Sequence, residues 1–304
     1  MRHVILAITI ALLTATTVAC GGGKSKSASS PAGSTGGGTA STLPQGSKPF
    51  KVDPTDFTTA IDNRYWPMKP GNHWVYRETN AEGDVQRNDV VVTNKTKKIM
   101  GIRAVVVRDT VRQGGQLTED TFDWYAQDAE GNLWYFGEDT TEYENGKVKT
   151  KEGSWEAGVD GALGGIIVPA HPKPGLTYRE EYYKGHAEDG AEVLSLNTHA
   201  KVPYGTYDNV LQTRNFSAIE PNVVEEKFYA LGVGVVLEIT VSGGSDRGEL
   251  ISFKQGSVTR RGPMVQRTEQ RADRRGNPYH RTPHTRLVTS GAEPFRVVAA
   301  MAGG

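Results

Sequence analysis

A chain of 304 residues carries 35 basic and 35 acidic side chains, so it has no net charge to draw it to a polyanion as a whole. One cysteine in the whole sequence excludes a disulfide framework and a zinc thiolate site. At this length a hydrophobic core can be stable without covalent staples.

The amino terminus reads as an address. Met1-Arg2-His3 is a positive start, Val4 to Val18 is apolar apart from threonines, and Thr17-Val18-Ala19-Cys20 is small-residue processing sequence. The run of about 15 apolar residues is shorter than the ~20 a spanning helix needs. This segment resembles the lipobox of bacterial lipoproteins, although Thr17 stands where the lipobox usually carries Leu. The resemblance implies a signal peptide over 1–19 and a diacylglyceryl group on Cys20, with the mature chain lipid-anchored on the extracytoplasmic face of a membrane. With Cys20 committed to the anchor, no thiolate nucleophile remains.

Residues 20–49 are the expected tether, because Gly21 to Ser47 is almost wholly Gly, Ser, Thr, Ala, Lys and Pro. A flexible chain of that length holds its cargo on the order of 30 Å from the bilayer.

Residues 50–253 read as one all-β domain. Short β-branched or aromatic runs are punctuated by Gly, Pro, Asn and Asp, as in His73 to Arg77, Ile102 to Asp109, Thr118 to Gln127, Asn132 to Glu138, Glu192 to Val202, Val223 to Tyr229, Val233 to Val241 and Glu249 to Phe253. No long stretch keeps a 3.6-residue period, which argues against parallel βαβ units. Asp160 to Val168 reads as a helical turn or a loop, given its three glycines and Pro169. The expected architecture is a single curved antiparallel sheet, a half-open or closed barrel.

The sharpest local feature is Phe122 to Phe136. Asp128-Ala-Glu-Gly131 fits a type I turn followed by a positive-φ glycine, and the resulting register sets Tyr125 opposite Tyr135 and Trp124 opposite Phe136. One face then carries Phe122, Trp124, Trp134 and Phe136, and the other carries Thr121, Asp123, Tyr125, Gln127, Leu133 and Tyr135. The first face is either core or the wall of an apolar cavity holding a lipid or other hydrophobic ligand. The tyrosine face is either ordinary surface or a patch shown to a partner. Gly153 to Ala162, with Trp155, is a glycine-rich loop that could cover a barrel mouth or run as a rigid crossing.

Asp123-Trp-Tyr-Ala-Gln-Asp128, Gly131-Asn-Leu-Trp-Tyr-Phe-Gly-Glu138, Gly153-Ser-Trp-Glu-Ala-Gly-Val-Asp-Gly161 and Tyr229-Ala-Leu-Gly-Val-Gly-Val-Val236 resemble motifs of a family of uncharacterised bacterial secreted proteins and lipoproteins. Pro70 to Tyr76 and the Gly-Val-Gly close also look like the half-barrels of LolA and LolB type, which carry lipidated cargo. The first resemblance implies no activity for any residue.

Catalytic patterns are poor. Glu180, Glu181, His186, Glu188, Asp189 and Glu192 gather carboxylates and an imidazole, the raw material of a metal-dependent hydrolase, but at a hairpin where charge is expected anyway. Gly153-Ser-Trp is not a nucleophile elbow, and Gly232-Val-Gly234 lies between strands rather than before a helix. The sequence therefore points to a non-enzymatic protein with no cofactor. Residues 254–304 form a basic tail expected to be disordered, with nine Arg from Arg260 to Arg296 against Glu269, Asp273 and Glu293. Nucleic acid is a poor partner for an extracytoplasmic chain, and nothing in the sequence fixes an oligomeric state.

Overall fold

The computed structural model describes residues 43–256, so Cys20, most of the tether and the basic tail lie outside the described residues. The body is nearly all β. A 3-10 turn over Pro54–Asp56 precedes β1 (Phe57–Thr58), β2 (His73–Thr79), β3 (Val85–Ile99), β4 (Ile102–Gln113), β5 (Gln116–Asp128) and β6 (Leu133–Glu144). Short pieces follow: β7 (Lys147–Thr150), β8 (Trp155–Glu156), β9 (Leu163–Val168), β10 (Thr177–Arg179) and β11 (Glu181–Tyr182). Five longer strands complete the chain: β12 (Asp189–Val202), β13 (Gly205–Ser217), β14 (Val224–Ala230), β15 (Gly234–Ser242) and β16 (Arg247–Lys254).

The strands form one antiparallel sheet in the order β10-β12-β13-β14-β15-β16-β2-β3-β4-β5-β6-β9-β11, with β1 on β5 and β7 and β8 on β6. The sheet curls into a nearly closed barrel with one seam. At that seam β10 pairs with β12 and β11 pairs with β9, yet only Glu180 separates them in sequence. The chain thus changes partner in mid-strand and draws the two sheet edges together. Gly165 permits the approach, because a Cβ there would collide with the carbonyls of Arg179 and Glu180.

The hairpin of β5 and β6 has the expected turn. Gly131 N donates to Asp128 O at 3.0 Å with Gly131 at φ 91°, and Tyr125 faces Tyr135. The expected pairing of Trp124 with Phe136 is not formed. The register shifts between Asp123 and Tyr125, so that Asp123 faces Glu138. Gly137, at φ 119°, absorbs the extra residue, and a Cβ there would strike the Trp155 carbonyl. Asp160 to Val168, read as a helical turn or loop, instead contains β9. Gly164 and Gly165 serve close packing at the seam, while Gly161 takes a positive φ of 81° in the turn before β9.

Two further differences concern boundaries and the Trp155 loop. Residues 43–49, expected to belong to the tether, pack on the barrel: Leu43 is buried and Arg179 N donates to Pro44 O at 2.7 Å. The Trp155 loop turns inward, with the Trp155 ring edge-on to Tyr135 at 5.5 Å between centroids. Among the described residues no helix is long and apolar enough to cross a membrane.

Candidate functional site

Trp66 defines the inside of the barrel. Its ring lies 6.4 Å from Trp74 on β2, 6.2 Å from Tyr125 on β5 and 5.9 Å from Tyr229 on β14, strands that only a shared interior can bring together. Asn63 anchors the segment that carries Trp66, donating from Nδ2 to Gly131 O at 2.9 Å, while Gln127 Oε1 accepts from the Asp62 and Asn63 amides. The result is an aromatic floor across one end of the barrel. Trp74 Nε1 donates to Val233 O, and Tyr76 OH to Val235 O, so these two polar tips are satisfied by backbone, whereas the buried Trp66 Nε1 has no hydrogen-bond partner.

Alternation along each strand then fixes what lies beyond the floor. On β2 the inward positions are Trp74, Tyr76 and Glu78, and the ladder carries that face to Asn88, Asp109, Thr121, Asp123 and Glu138. On the opposite wall it carries Glu238, Lys227, Glu225, Thr213 and Asn215. Glu180 and Glu181 come in from the seam and are also buried. The buried basic side chains among the described residues are Lys227 and Arg179. Arg179 turns to the seam, so Lys227 faces the carboxyl groups by itself.

Hydrogen bonds link several of these groups. Asn88 Nδ2 donates to Glu78 Oε1 at 3.0 Å and to Asp109 Oδ2 at 3.3 Å. Tyr135 OH donates to Asp123 Oδ1 at 2.9 Å, and Asn215 Nδ2 donates to both Glu180 oxygens at 2.9 Å. Burial in a low-dielectric interior disfavours the charged form. It raises Glu78 to about 8, against the Asn88 hydrogen bond, and Asp123 to about 7, against the bond from Tyr135. Glu180 rises to about 7 by burial, opposed by Lys227 and Asn215. Asp109 is pushed well above the carboxylate range by burial, then by Asp123, Glu119 and Glu78.

Little free space remains between the aromatic floor and these acids. The cavity bounded by Trp66, Trp74, Asp109, Asp123, Tyr125 and Glu138 holds about 20 Å³, room for about one water. Phe122, Trp124, Trp134 and Phe136, expected as core or as the wall of an apolar cavity, lie on the opposite face of the sheet from this space. Strand alternation from the buried Tyr125 and Tyr135 puts the polar-aromatic face inside. Phe57 packs edge-on against Trp134 and Phe136 at 5.7 and 5.5 Å, and Phe50 lies 5.5 Å from Trp134. Lys97 Nζ sits 3.3 Å above the Trp124 ring, and the Arg108 guanidinium 5.6 Å from that of Phe122. The expectation of an exposed tyrosine patch fails for the same reason, because Tyr125 and Tyr135 are inside.

The seam has its own cluster. The Arg179 guanidinium donates to Gly164 O on β9 at 2.9 and 3.1 Å, and to Gly46 O and Lys48 O on the incoming segment at 2.7 and 2.8 Å. Burial lowers it to about 10, so it stays charged at neutral pH. Sequence reasoning missed this residue, since a lone Arg beside two Glu reads as a solvated ion pair.

His186 stacks on Tyr183 at 4.5 Å and is exposed at the β11–β12 hairpin. It borders a second hollow of about 120 Å³ with Glu152, Asp189 and Glu220. Among the described residues no three His, Cys, Asp or Glu side chains are placed to hold a metal ion. The hydrolase arrangement that would need His186 and two converging carboxylates is not assembled.

No family model matches the chain, and no curated protein matches it. Among solved structures, it is similar to a Bacteroides fragilis protein described as exported and of YmcC-like fold, at 14% identity and a TM-score of 0.39, over 63% of this chain and 99% of that one. It is also similar to a protein described as a lipoprotein from Parabacteroides distasonis, at 12% identity and a TM-score of 0.35, with the same coverages of 63% and 99%. Neither name states an activity.

Proposed function

We propose that the chain is a lipid-anchored, extracytoplasmic protein of the cell envelope, which acts without catalysis by presenting the outside of a filled barrel to a partner. The observation that carries the second half is the occupancy of both faces of the β5–β6 hairpin. Its tyrosine face is packed inside and its tryptophan face is covered by Phe50, Phe57 and Lys97. A hydrophobic ligand would have to displace Phe50 and Phe57 to reach Trp134 and Phe136. The sequence from Met1 to Cys20 supports the anchor.

The test is production of the full chain in a bacterium supplied with a clickable fatty acid, beside the Cys20→Ser variant. The proposal expects label and membrane retention in the parent and neither in the variant. Native mass spectrometry of the detergent-released parent, followed by organic extraction, tests the filled interior. A stoichiometric lipid beyond the covalent one would restore the carrier reading and sink the scaffold one.

A further inference from the structure

The wall from β2 to β6 buries five carboxyl groups, Glu78, Asp109, Glu119, Asp123 and Glu138, and no basic side chain. Neutral partners from each strand face them: Asn88 from β3, Thr121 from β5, and Thr140 and Tyr135 from β6. From across the barrel come Glu238, Glu225 and Lys227, with Glu180, Glu181 and Asp189 beside the seam. Lys227 lies on β14 and can balance about one negative charge, which leaves most of the cluster to be neutral. Glu78 Oε2 and Asp109 Oδ1 are each fully buried without a hydrogen-bond acceptor or donor near them. An ionised oxygen in that state costs far more than a protonated one.

We propose that this wall is a pH-sensitive device, in which protons are the ligands that hold the strands closed and whose loss loosens β2 to β6 around the interior. The geometry supplies the coupling. Asn88 bridges Glu78 and Asp109 across three strands, and Asp123 faces Glu138 directly across the β5–β6 register shift. Two carboxylates forced to ionise there repel each other along the ladder, at the site of the Gly137 bulge where the hydrogen bonding is already interrupted.

The sign follows from linkage. A carboxyl group raised on folding makes the native state bind more protons than the unfolded one between the two pKa values, so stability falls as pH rises. With Asp123 and Glu180 at about 7 and Glu78 at about 8, the loss runs from about pH 4.5 to about pH 8. Each fully coupled proton changes the folding constant about tenfold per pH unit.

The experiment uses the full chain carrying Cys20→Ser, with thermal unfolding followed from pH 5 to pH 9. The proposal expects a midpoint that drops steadily toward alkaline pH, and a flatter profile, raised at pH 8, for Glu78→Gln with Asp109→Asn. A parent midpoint that is level or rises over this range overturns it, as does a variant profile parallel to the parent's. Should the variant not fold, infrared absorption of the parent at pH 7 decides: a protonated-carboxyl band that fades by pH 9 supports the proposal, and its absence overturns it. Stability that follows sodium concentration at fixed pH, without that band, also overturns it, since a cation would then be neutralising the wall.

Discussion

Lys227 Nζ lies 3.7 Å from Glu238 Oε1, with both side chains 2% exposed. Burial alone would lower the lysine, but Glu238, Glu180, Glu225 and Asp189 outweigh it and hold the ammonium above its usual range. Glu238 nevertheless moves up as well, through burial and then through Glu225, although Lys227 pulls it down. The two shifts are compatible because one ammonium serves several carboxyls. We therefore assign the charge to Lys227 and spread its counter-charge over the group.

Lys227→Met should cost about 3–5 kcal/mol at pH 7, the usual result of removing one member of a buried ion pair. The same substitution should cost less at pH 5, where Glu238 and Glu180, both raised by burial, are protonated. Glu238→Gln, by contrast, should cost about 1 kcal/mol, since it replaces a group already near neutrality. Urea unfolding of both variants at the two pH values measures this. Equal losses at pH 5 and pH 7 for Lys227→Met would show that the lysine acts through its stem rather than its charge.

Arg179→Ala should unlatch the seam. Hydrogen bonds from a charged group contribute about 1.5–3 kcal/mol each, and four end on Gly46, Lys48 and Gly164. Hydrogen exchange should quicken in residues 43–48 and in β9, while β3 and β4 stay protected. Uniform acceleration along the chain would mean that the seam is not a separate unit of opening.

Phe57→Ala removes the ring that touches both Trp134 and Phe136. A half-buried aromatic side chain is worth about 2 kcal/mol on burial. The variant should lose roughly that much and show tryptophan emission shifted to the red. Unchanged emission would mean that the outer aromatic face is covered by something other than the Phe50 to Phe57 segment.

The sequence carried the strand content and the Asp128 to Gly131 turn because both rest on local chemistry: β-branched runs, and a glycine at positive φ. It did not reveal which face of the hairpin points inward. Phe122, Trp124, Trp134 and Phe136 are the more apolar set, and apolarity ordinarily marks the core. Here that face is buried by a segment 77 to 84 residues earlier in the chain, whereas the interior tolerates Asp123 by keeping it close to neutral. Glu78, Asp109 and Glu238 were invisible for the same reason. Each sits in an ordinary polar-apolar alternation, and only the barrel's closure brings them to one space. The seam was unreadable too, since Leu163 to Val168 is a strand only by virtue of contact with β6 and β11.

The pairing of β2 with β16 sets Trp74 opposite Phe253 and Tyr76 opposite Leu250. Those partners are separated by more than 170 residues, so the aromatic floor has no second wall until the last strand has been made. A sheet whose middle joins its first long strand to its last has a high contact order, and folding should be slow, limited by the search that pairs them. Until then β2 offers an unpaired edge to any neighbouring chain. The order of events is thus built into the topology: the interior acids gather before they are sealed, and β16 decides when.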